Sequence, residues 1–241
     1  MKKLAIYIPS IETGGVEKNL FYISNYLAKK NIDVYIVTAN KNKKIFFNNK
    51  VKIICPKSSR WNNSSRITKT LICLCLIITK LPLKDISILS FQSNVSAIIL
   101  SKLFRLKIIV RLNTSTKKYI NNFIKSFFFK KIYSMSDVVI VNSLEFKKNL
   151  KKILNINSIQ IYNPIRFKNV NKKIKINYFK NFRGIKILSI GRLTDQKDQI
   201  TIFKSLKILK KNKINFKFYL IGGGYKLNKL KQYVKDQQLT A

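Results

Sequence analysis

Residues 186–199 read KILSIGRLTDQKDQ, and this stretch decides the fold prediction. A short apolar run ends at Gly191, and the cations Arg192 and Lys197 flank a turn-prone Thr-Asp pair. A helical pattern begins directly afterwards, and we expect Asp195 to cap it. A buried strand that ends in a glycine turn and leads into a helix is typical of a parallel α/β sheet. An arginine fork and a lysine ammonium at such a turn can neutralise separate phosphoryl groups of a diphosphate. In a chain with 49 Lys and Arg, the alternative is two ordinary surface cations.

The same alternation of apolar runs and helical periods continues through most of the chain. Strands are predicted at 4–9, 33–39, 51–56, 86–91, 107–112, 137–143, 158–164, 186–191 and 215–222. Helices are predicted at 16–30, about 65–80, 94–104, 117–134, 144–154, about 196–211 and 223–236. This order predicts right-handed βαβ units and a parallel sheet. We therefore expect an α/β protein with one complete Rossmann-like N-terminal domain and the first part of a second one.

A polar, basic stretch without a firm period separates the two series of strands and helices. It predicts an N-terminal domain over 1–164, a linker over 165–183, and an incomplete C-terminal domain over 184–241. The second series has only two strands and two helices, and open sheets of this type usually need four or more strands. We therefore expect the second domain to be incomplete within this sequence.

The charge balance is extreme, with 49 Lys and Arg, nine Asp and Glu, and a formal net charge of +40. Such a surface favours anionic partners, including nucleic acid, anionic lipid and phosphorylated substrates. The lysines are spread along the whole length, however, which favours compositional drift in an AT-rich genome over a localised binding face. None of the usual nucleic-acid-binding signatures is present, so specific nucleic-acid binding is the competing function and not the preferred one.

The residue inventory excludes several kinds of chemistry. Because there is no histidine, nucleophile triads that contain histidine and histidine-based metal motifs are excluded. The cysteines are few and badly spaced for a zinc site, and Cys73 and Cys75, in the apolar run LICLCLII, are expected to be small buried hydrophobic residues. No Asp-x-Asp pair is present for a divalent ion. We predict no metal site and no cofactor other than a co-substrate.

No segment predicts secretion or a membrane span. The apolar part of MKKLAIYIPS is shorter than a signal-peptide core, and the longest uncharged apolar stretch, at 70–79, is about half of what spans a bilayer. The low, odd cysteine count is typical of a reducing compartment. The expected localisation is cytoplasmic, with any membrane contact made from one side.

Three further loops at predicted strand ends are candidate ligand contacts. Gly14 and Gly15 follow the first strand, where free helix N–H groups favour a phosphate or sugar oxygen. Gly222, Gly223 and Gly224 follow the strand that contains YLIG, and Arg111 and Asn113 leave the strand VRL. For the two glycine loops the alternative is a tight turn without a ligand.

Taken together, these motifs resemble the retaining glycosyltransferases of family 4, which have the GT-B fold of two Rossmann-like domains. The resemblance rests on the Gly-Gly-x-Glu loop at 14–17, on SDVVIVNSLEFKKNLKK at 136–152 followed by IQIYNPI at 159–165, and on ILSIGRLTDQKDQ with FYLIGGGYKLNKL at 218–230. The last pairing is the most specific.

The resemblance implies roles for several residues. Arg192 and Lys197 match the family's Arg and Lys that hold the diphosphate of the donor nucleotide. Gly14 and Gly15 match a loop near the phosphate and the acceptor, and Gly191 and the glycines at 222–224 match turns near the donor. Asn113 stands where the family often has a histidine or polar residue near the reacting sugar. The implied partners are a nucleotide sugar and a glycan or lipid-linked acceptor of surface polysaccharide synthesis.

One family motif has no counterpart in the sequence. Members of the family reach a Glu-x7-Glu motif that contacts the donor sugar and ribose, whereas Asp236 is the one carboxylate beyond residue 199 here. We therefore expect a C-terminally truncated chain with little or no transferase activity on its own, and the alternative is a non-catalytic remnant.

The stretch TKKYINNFIKSFFFKKIYS at 116–134 mixes aromatic residues with lysines. On a helix, Tyr119, Phe123, Phe127 and Phe128 share a face with lysines around it. This pattern is typical of a helix that lies on anionic lipid, and the alternative is an apolar stripe buried against the sheet.

Overall fold

The structure is a computed structural model that describes residues 3–12, 14–41, 46–113, 123–165 and 179–239. The chain divides into two compact units, Met1–Arg166 and Phe167–Ala241. Each unit contains a parallel β-sheet with helices packed on it. The predicted linker lies mostly outside the described residues, so its conformation stays a prediction.

The N-terminal unit is built on a seven-stranded parallel sheet of strand order β3-β2-β1-β4-β5-β6-β7. Its strands are β1 (Lys3–Tyr7), β2 (Asp33–Val37), β3 (Lys52–Ile54), β4 (Ile86–Ser90), β5 (Lys107–Leu112), β6 (Val138–Val141) and β7 (Ile159–Gln160). The order reverses between β1 and β4, which pair directly. Doubly wound sheets bind ligands at the carboxyl ends of the strands beside this reversal.

Both faces of this sheet are buried by helices. They are α1 (Gly15–Lys29), α2 (Arg66–Lys80), α3 (Asn94–Leu103), α4 (Phe123–Ser134) and α5 (Leu144–Leu154). Ile6 and Ile8 pack with the side chains of α1, whereas Ala5 and Tyr7 pack with those of α2 to α5. Successive strand residues point to opposite faces, so burial on both sides requires the continuous apolar runs seen in the sequence. The predicted Rossmann-like architecture is confirmed.

The C-terminal unit has a two-stranded parallel sheet, β8 (Ile185–Ile190) with β9 (Phe216–Ile221), and two helices, α6 (Gln199–Lys211) and α7 (Leu227–Asp236). Leu193, Phe203, Leu206 and Leu230 form the centre of its core. On the other face of the same sheet, Leu188 and Ile190 are 51% and 71% exposed. One face is therefore covered by the two helices. On the other face, the Phe179 ring packs on the Tyr219 ring at 5.1 Å, and Leu188 and Ile190 stay mostly exposed among the described residues.

Several predicted details are corrected by the structure. Strand β7 has only two residues, although the next residue, Ile161, still donates its N–H to Val141 O at 2.9 Å. Helix α7 begins at Leu227 and not near 223, after Gly224 adopts a φ of +155°. Cys73 is buried as expected, and burial raises its pKa to about 12. Cys75 is exposed, because two residues further along a helix lie on nearly the opposite side.

Candidate functional site

The loop after β1 leads into α1 as the sequence predicted. Gly14 precedes the helix in an extended conformation with a φ of −178°, and Gly15 is its first residue. A Cβ on Gly14 would lie 2.8 Å from Glu17 Oε2, whereas nothing lies within 4 Å of the Cβ position on Gly15. The first glycine therefore makes room for the buried carboxylate of Glu17, which the helix dipole stabilises. The second leaves the backbone open at the helix N-terminus.

Hydrogen bonds from both neighbouring strands fix this loop. The Ile11 N–H donates to Asn40 Oδ1 at 2.8 Å, and the Ser10 N–H donates to Gln92 Oε1 at 3.3 Å. Asn40 follows β2, and Gln92 follows β4. The loop is therefore anchored across the reversal of strand order.

Arg111 and Asn113 also lie at the carboxyl edge of the sheet. Asn113 Nδ2 donates to the carbonyl oxygen of Phe91 at 2.9 Å, which ties the end of β5 to the loop after β4. The Arg111 side chain is buried, donates to Asn163 Oδ1 at 2.8 Å, and has its guanidinium 5.9 Å from the centre of the Phe91 ring. Burial lowers the pKa of Arg111 below its usual value. The predicted role of Asn113 near a reacting sugar stays a prediction.

One residue at this edge was missed by the sequence-based prediction. The Lys69 side chain is only 8% exposed and donates from Nζ to Ser10 Oγ at 3.2 Å. The signal was present in the sequence, because Lys69, Cys73 and Ile77 form the buried stripe of α2 at four-residue spacing. A lysine in an otherwise apolar stripe breaks the pattern and marks a position to explain.

In the C-terminal unit, the glycine turns after β8 and β9 contact each other closely. Gly191 donates its N–H to Ile221 O at 3.0 Å, and Leu193 donates to Gly223 O at 2.9 Å. A Cβ on Gly222 would overlap the carbonyl oxygen of Gly191, and a Cβ on Gly224, which has a positive φ, would overlap that of Leu193. These two glycines are therefore required by packing, whereas Gly223 has no atom within 4 Å of its Cβ position.

Arg192 and Lys197 are both exposed on the turn after β8. The alkyl chain of Lys197 lies over Gly191, with carbons 3.8–3.9 Å from its Cβ position. The carbonyl oxygen of Arg192 accepts a 2.8 Å hydrogen bond from Gln199, which fixes the backbone of the turn. Neither cation forms an ion pair with a carboxylate of the described residues. Both are therefore available to an anionic ligand.

The carboxylate of Asp195 lies between these cations in sequence but is paired elsewhere. It forms an ion pair with Lys226 and accepts a hydrogen bond from the Tyr225 hydroxyl. The bond from Lys226, followed by that from Tyr225, holds the pKa of Asp195 below its usual value. The prediction that Asp195 caps the next helix is wrong. Asp198 precedes α6 instead, and Asp195 joins the turns after β8 and β9.

The lipid-facing prediction for 116–134 is tested on its described part, because Tyr119 lies outside the described residues. Phe123, Phe127 and Phe128 of α4 are 87%, 56% and 57% exposed. The opposite side of the helix packs on the core through Tyr133, whose ring stacks on Phe129 at 4.2 Å. The three exposed rings therefore do not form a buried stripe.

Two other kinds of site are absent within the described ranges. No three His, Cys, Asp or Glu residues there lie close enough to hold a metal ion. None of the described helices is both long enough and apolar enough to cross a bilayer. A polar cavity of about 440 Å³ lies at the amino ends of β6 and β7, away from the predicted site.

The fold resembles solved glycosyltransferases at low sequence identity. A mutant of S. aureus TarM, solved with fondaparinux, α-GlcNAc-glycerol and UDP, is 11% identical at a TM-score of 0.70 over 99% of this chain and 76% of its own. Anabaena HepE with UDP and glucose is 14% identical at a TM-score of 0.68, over 99% and 65%. The lipopolysaccharide outer core galactosyltransferase WaaB is 14% identical at a TM-score of 0.61, over 98% and 65%.

The chain thus spans between 65% and 76% of the length of these relatives, and the fold it shares with them is GT-B. No curated protein sequence matches it. The sequence profile of Glycosyltransferase Family 4 matches residues 13–167, which is more than half of the chain. The chain therefore belongs to Glycosyltransferase Family 4.

Proposed function

We propose that the chain takes part in transfer of a sugar from a nucleoside diphosphate sugar to a glycan or lipid-linked acceptor of surface polysaccharide synthesis. The observation that carries this proposal is the turn after β8, where Arg192 and Lys197 are exposed, unpaired with any carboxylate of the described residues, and set on a backbone fixed by two glycine turns. The UDP in the TarM and HepE structures supports the donor class, and the galactosyltransferase WaaB, which acts on lipopolysaccharide outer core, supports the acceptor class.

The two cations suit the leaving group of this reaction. The bond between the anomeric carbon of the sugar and the β-phosphate oxygen breaks, and the electron pair leaves with the nucleoside diphosphate. The acceptor hydroxyl forms the new bond to the anomeric carbon and loses its proton. The Arg192 guanidinium and the Lys197 ammonium stabilise the negative charge that develops on the departing diphosphate. Their charge supplies this stabilisation, and the absence of a metal ion stays a sequence-based prediction.

We place the acceptor at the carboxyl edge of the N-terminal sheet. The buried Glu17 carboxylate at the start of α1 can accept hydrogen bonds from sugar hydroxyls at the loop containing Gly14 and Gly15. Asn113, held by its bond to Phe91, offers an amide at the same edge for the reacting sugar.

A lipid-linked acceptor would lie in an anionic membrane. We propose that the chain contacts this membrane through α4. We name the exposed rings of Phe123, Phe127 and Phe128 the α4 aromatic face. Lysines at 125, 130 and 131 lie on the same helix, and Lys130 and Lys131 are exposed. Aromatic rings can enter the lipid interface while lysines bind the anionic headgroups.

Nucleotide binding tests the donor half of the proposal. We expect UDP to bind the wild-type chain, and Arg192→Ala or Lys197→Ala to weaken binding by about ten- to hundredfold, because charged hydrogen bonds contribute about 1.5–3 kcal/mol each. Lys204→Ala removes an exposed cation of α6 and serves as the matched control. Titration calorimetry at moderate salt measures the affinities. Equal UDP affinity in wild type and Arg192→Ala would contradict the proposal.

Nucleotide release tests the sequence-based expectation that this chain is impaired in transfer. The sequence-based expectation is little or no turnover by residues 1–241 alone, despite nucleotide binding. A coupled assay for released UDP with the purified chain measures it. Turnover at rates typical of enzymes would overturn the expectation of an impaired chain and leave the binding proposal intact.

A further inference from the structure

Lys69 is a buried cation in a position that packing alone would give to an apolar residue. It belongs to the buried stripe of α2, which continues through Cys73 and Ile77 into the main core of the N-terminal unit. Burying an ammonium group is unfavourable unless another group compensates its charge. A leucine or methionine at this position would pack without that penalty.

The protein supplies little of this compensation. Ser10 Oγ, at 3.2 Å, is the one acceptor that Lys69 Nζ has among the described residues, and no carboxylate there lies within 4.0 Å of it. Ser10 Oγ in turn donates to the exposed carboxylate of Glu12 at 3.3 Å. An ammonium group has three donors, so two of the three N–H bonds of Lys69 find no acceptor in the described part of the chain.

The location of Lys69 is that of a ligand site. Ser10 lies on the loop after β1, and its N–H is bonded to Gln92 after β4, so Lys69 reaches the reversal of strand order. At the same edge of the sheet, Thr70 Oγ1 and Ser93 Oγ lie 3.0 Å apart at the starts of α2 and α3. Both helices begin at this edge, and their dipoles favour negative charge there.

We propose that Lys69 and Ser10 form a binding subsite for a phosphoryl group of the acceptor. The subsite deepens the proposed function and rests on it, because the diphosphate of the donor is assigned to Arg192 and Lys197. The lysine ammonium supplies the positive charge, and the Ser10 hydroxyl supplies a further donor when it turns from Glu12 to the ligand. The acceptor is then a phosphorylated sugar or a phospholipid-linked glycan, and not a neutral saccharide.

Ligand-dependent stability tests the subsite without requiring transfer activity. The wild-type chain, Lys69→Met and the matched control Lys80→Met, which removes an exposed lysine of the same helix, are unfolded thermally with and without glycerol 3-phosphate at constant ionic strength. We expect glycerol 3-phosphate at about ten times its Kd to raise the Tm of the wild type and of Lys80→Met by about 3–6 °C. For Lys69→Met we expect a higher Tm without ligand and no rise with ligand.

Several outcomes would overturn the proposal. An equal rise in Lys69→Met and the wild type, an equal loss in Lys80→Met, or no rise in any chain would overturn it. A rise with inorganic phosphate but none with glycerol 3-phosphate would assign the site to free phosphate and overturn the acceptor assignment. The rise produced by UDP should survive Lys69→Met, and its loss would assign Lys69 to the donor instead. If Lys69→Met does not fold, Lys69→Gln removes the charge and keeps a donor for the same comparison.

A failure of the subsite and a failure of the proposed function remain distinguishable. Loss of UDP binding in Arg192→Ala concerns the donor alone, whereas the glycerol 3-phosphate response of Lys69→Met concerns the acceptor edge alone.

Discussion

The sheets of the two units differ in how much of their surface is buried. In the N-terminal unit, α1 covers one face and α2 to α5 cover the other, so that Ile6 and Tyr7 are both fully buried although they point in opposite directions. In the C-terminal unit, α6 and α7 cover one face, and Ile190 on the other is mostly exposed. The first sheet is therefore buried between helices, whereas helices cover the second sheet on one face among the described residues.

The largest expected effect follows from the contact between the glycine turns of the C-terminal unit. Gly222→Ala places a Cβ in overlap with the backbone oxygen of Gly191, and a backbone atom cannot move away as a flexible side chain can. We expect the free energy of unfolding to fall by about 3 kcal/mol or more, with loss of UDP binding. Urea unfolding followed separately for each unit by hydrogen exchange measures the first effect.

Gly223→Ala is the control for this substitution, because its Cβ position is open. We expect a change within about 0.5 kcal/mol. Similar destabilisation by both substitutions would show that the tight contact is not what holds the turns.

Truncation of one isoleucine in each sheet sharpens the comparison of the faces. Ile88→Ala empties a fully buried position in β4, and we expect it to cost about 2–5 kcal/mol of unfolding free energy. Ile190→Ala shortens a side chain that is 71% exposed in β8, and we expect less than about 0.5 kcal/mol. Urea denaturation of the full chain measures both. A comparable cost for Ile190→Ala would mean that the open face is covered in solution.

The smallest expected effect is on membrane binding, and it compares an exposed apolar surface of the N-terminal unit with one of the C-terminal unit. Replacing Phe127 and Phe128 of the α4 aromatic face with serine should weaken binding to phosphatidylglycerol vesicles by about tenfold, since about 25 cal/mol per Å² of apolar contact is lost. Ile208→Ser alters an exposed apolar side chain of α6 and should leave binding unchanged. Vesicle co-sedimentation measures both. Equal binding of all variants would remove α4 as the contact surface.

The strands and helices could be predicted well because their sequence patterns are local. Apolar runs bounded by glycine or proline identified the strands of both units, and family motifs identified the turns after them. Contacts between turns could not be predicted in this way, since nothing near Asp195 shows that its partners are Lys226 and Tyr225, which lies thirty residues away. Lys69 was missed for a different reason. Its place in the apolar stripe was visible, but its charge did not stand out among the 49 Lys and Arg of the chain.

The interlocked turns at Gly191 and Gly222 also bear on the entropy of ligand binding. Their backbones are held by each other and by the pairing of Asp195 with Lys226 before any nucleotide arrives. A loop that is already ordered loses little conformational freedom when a ligand binds, so more of the interaction energy appears as affinity. The remaining cost falls on the exposed side chains of Arg192 and Lys197. The backbone of the site is therefore preorganised, and ligand binding must order only the side chains of Arg192 and Lys197.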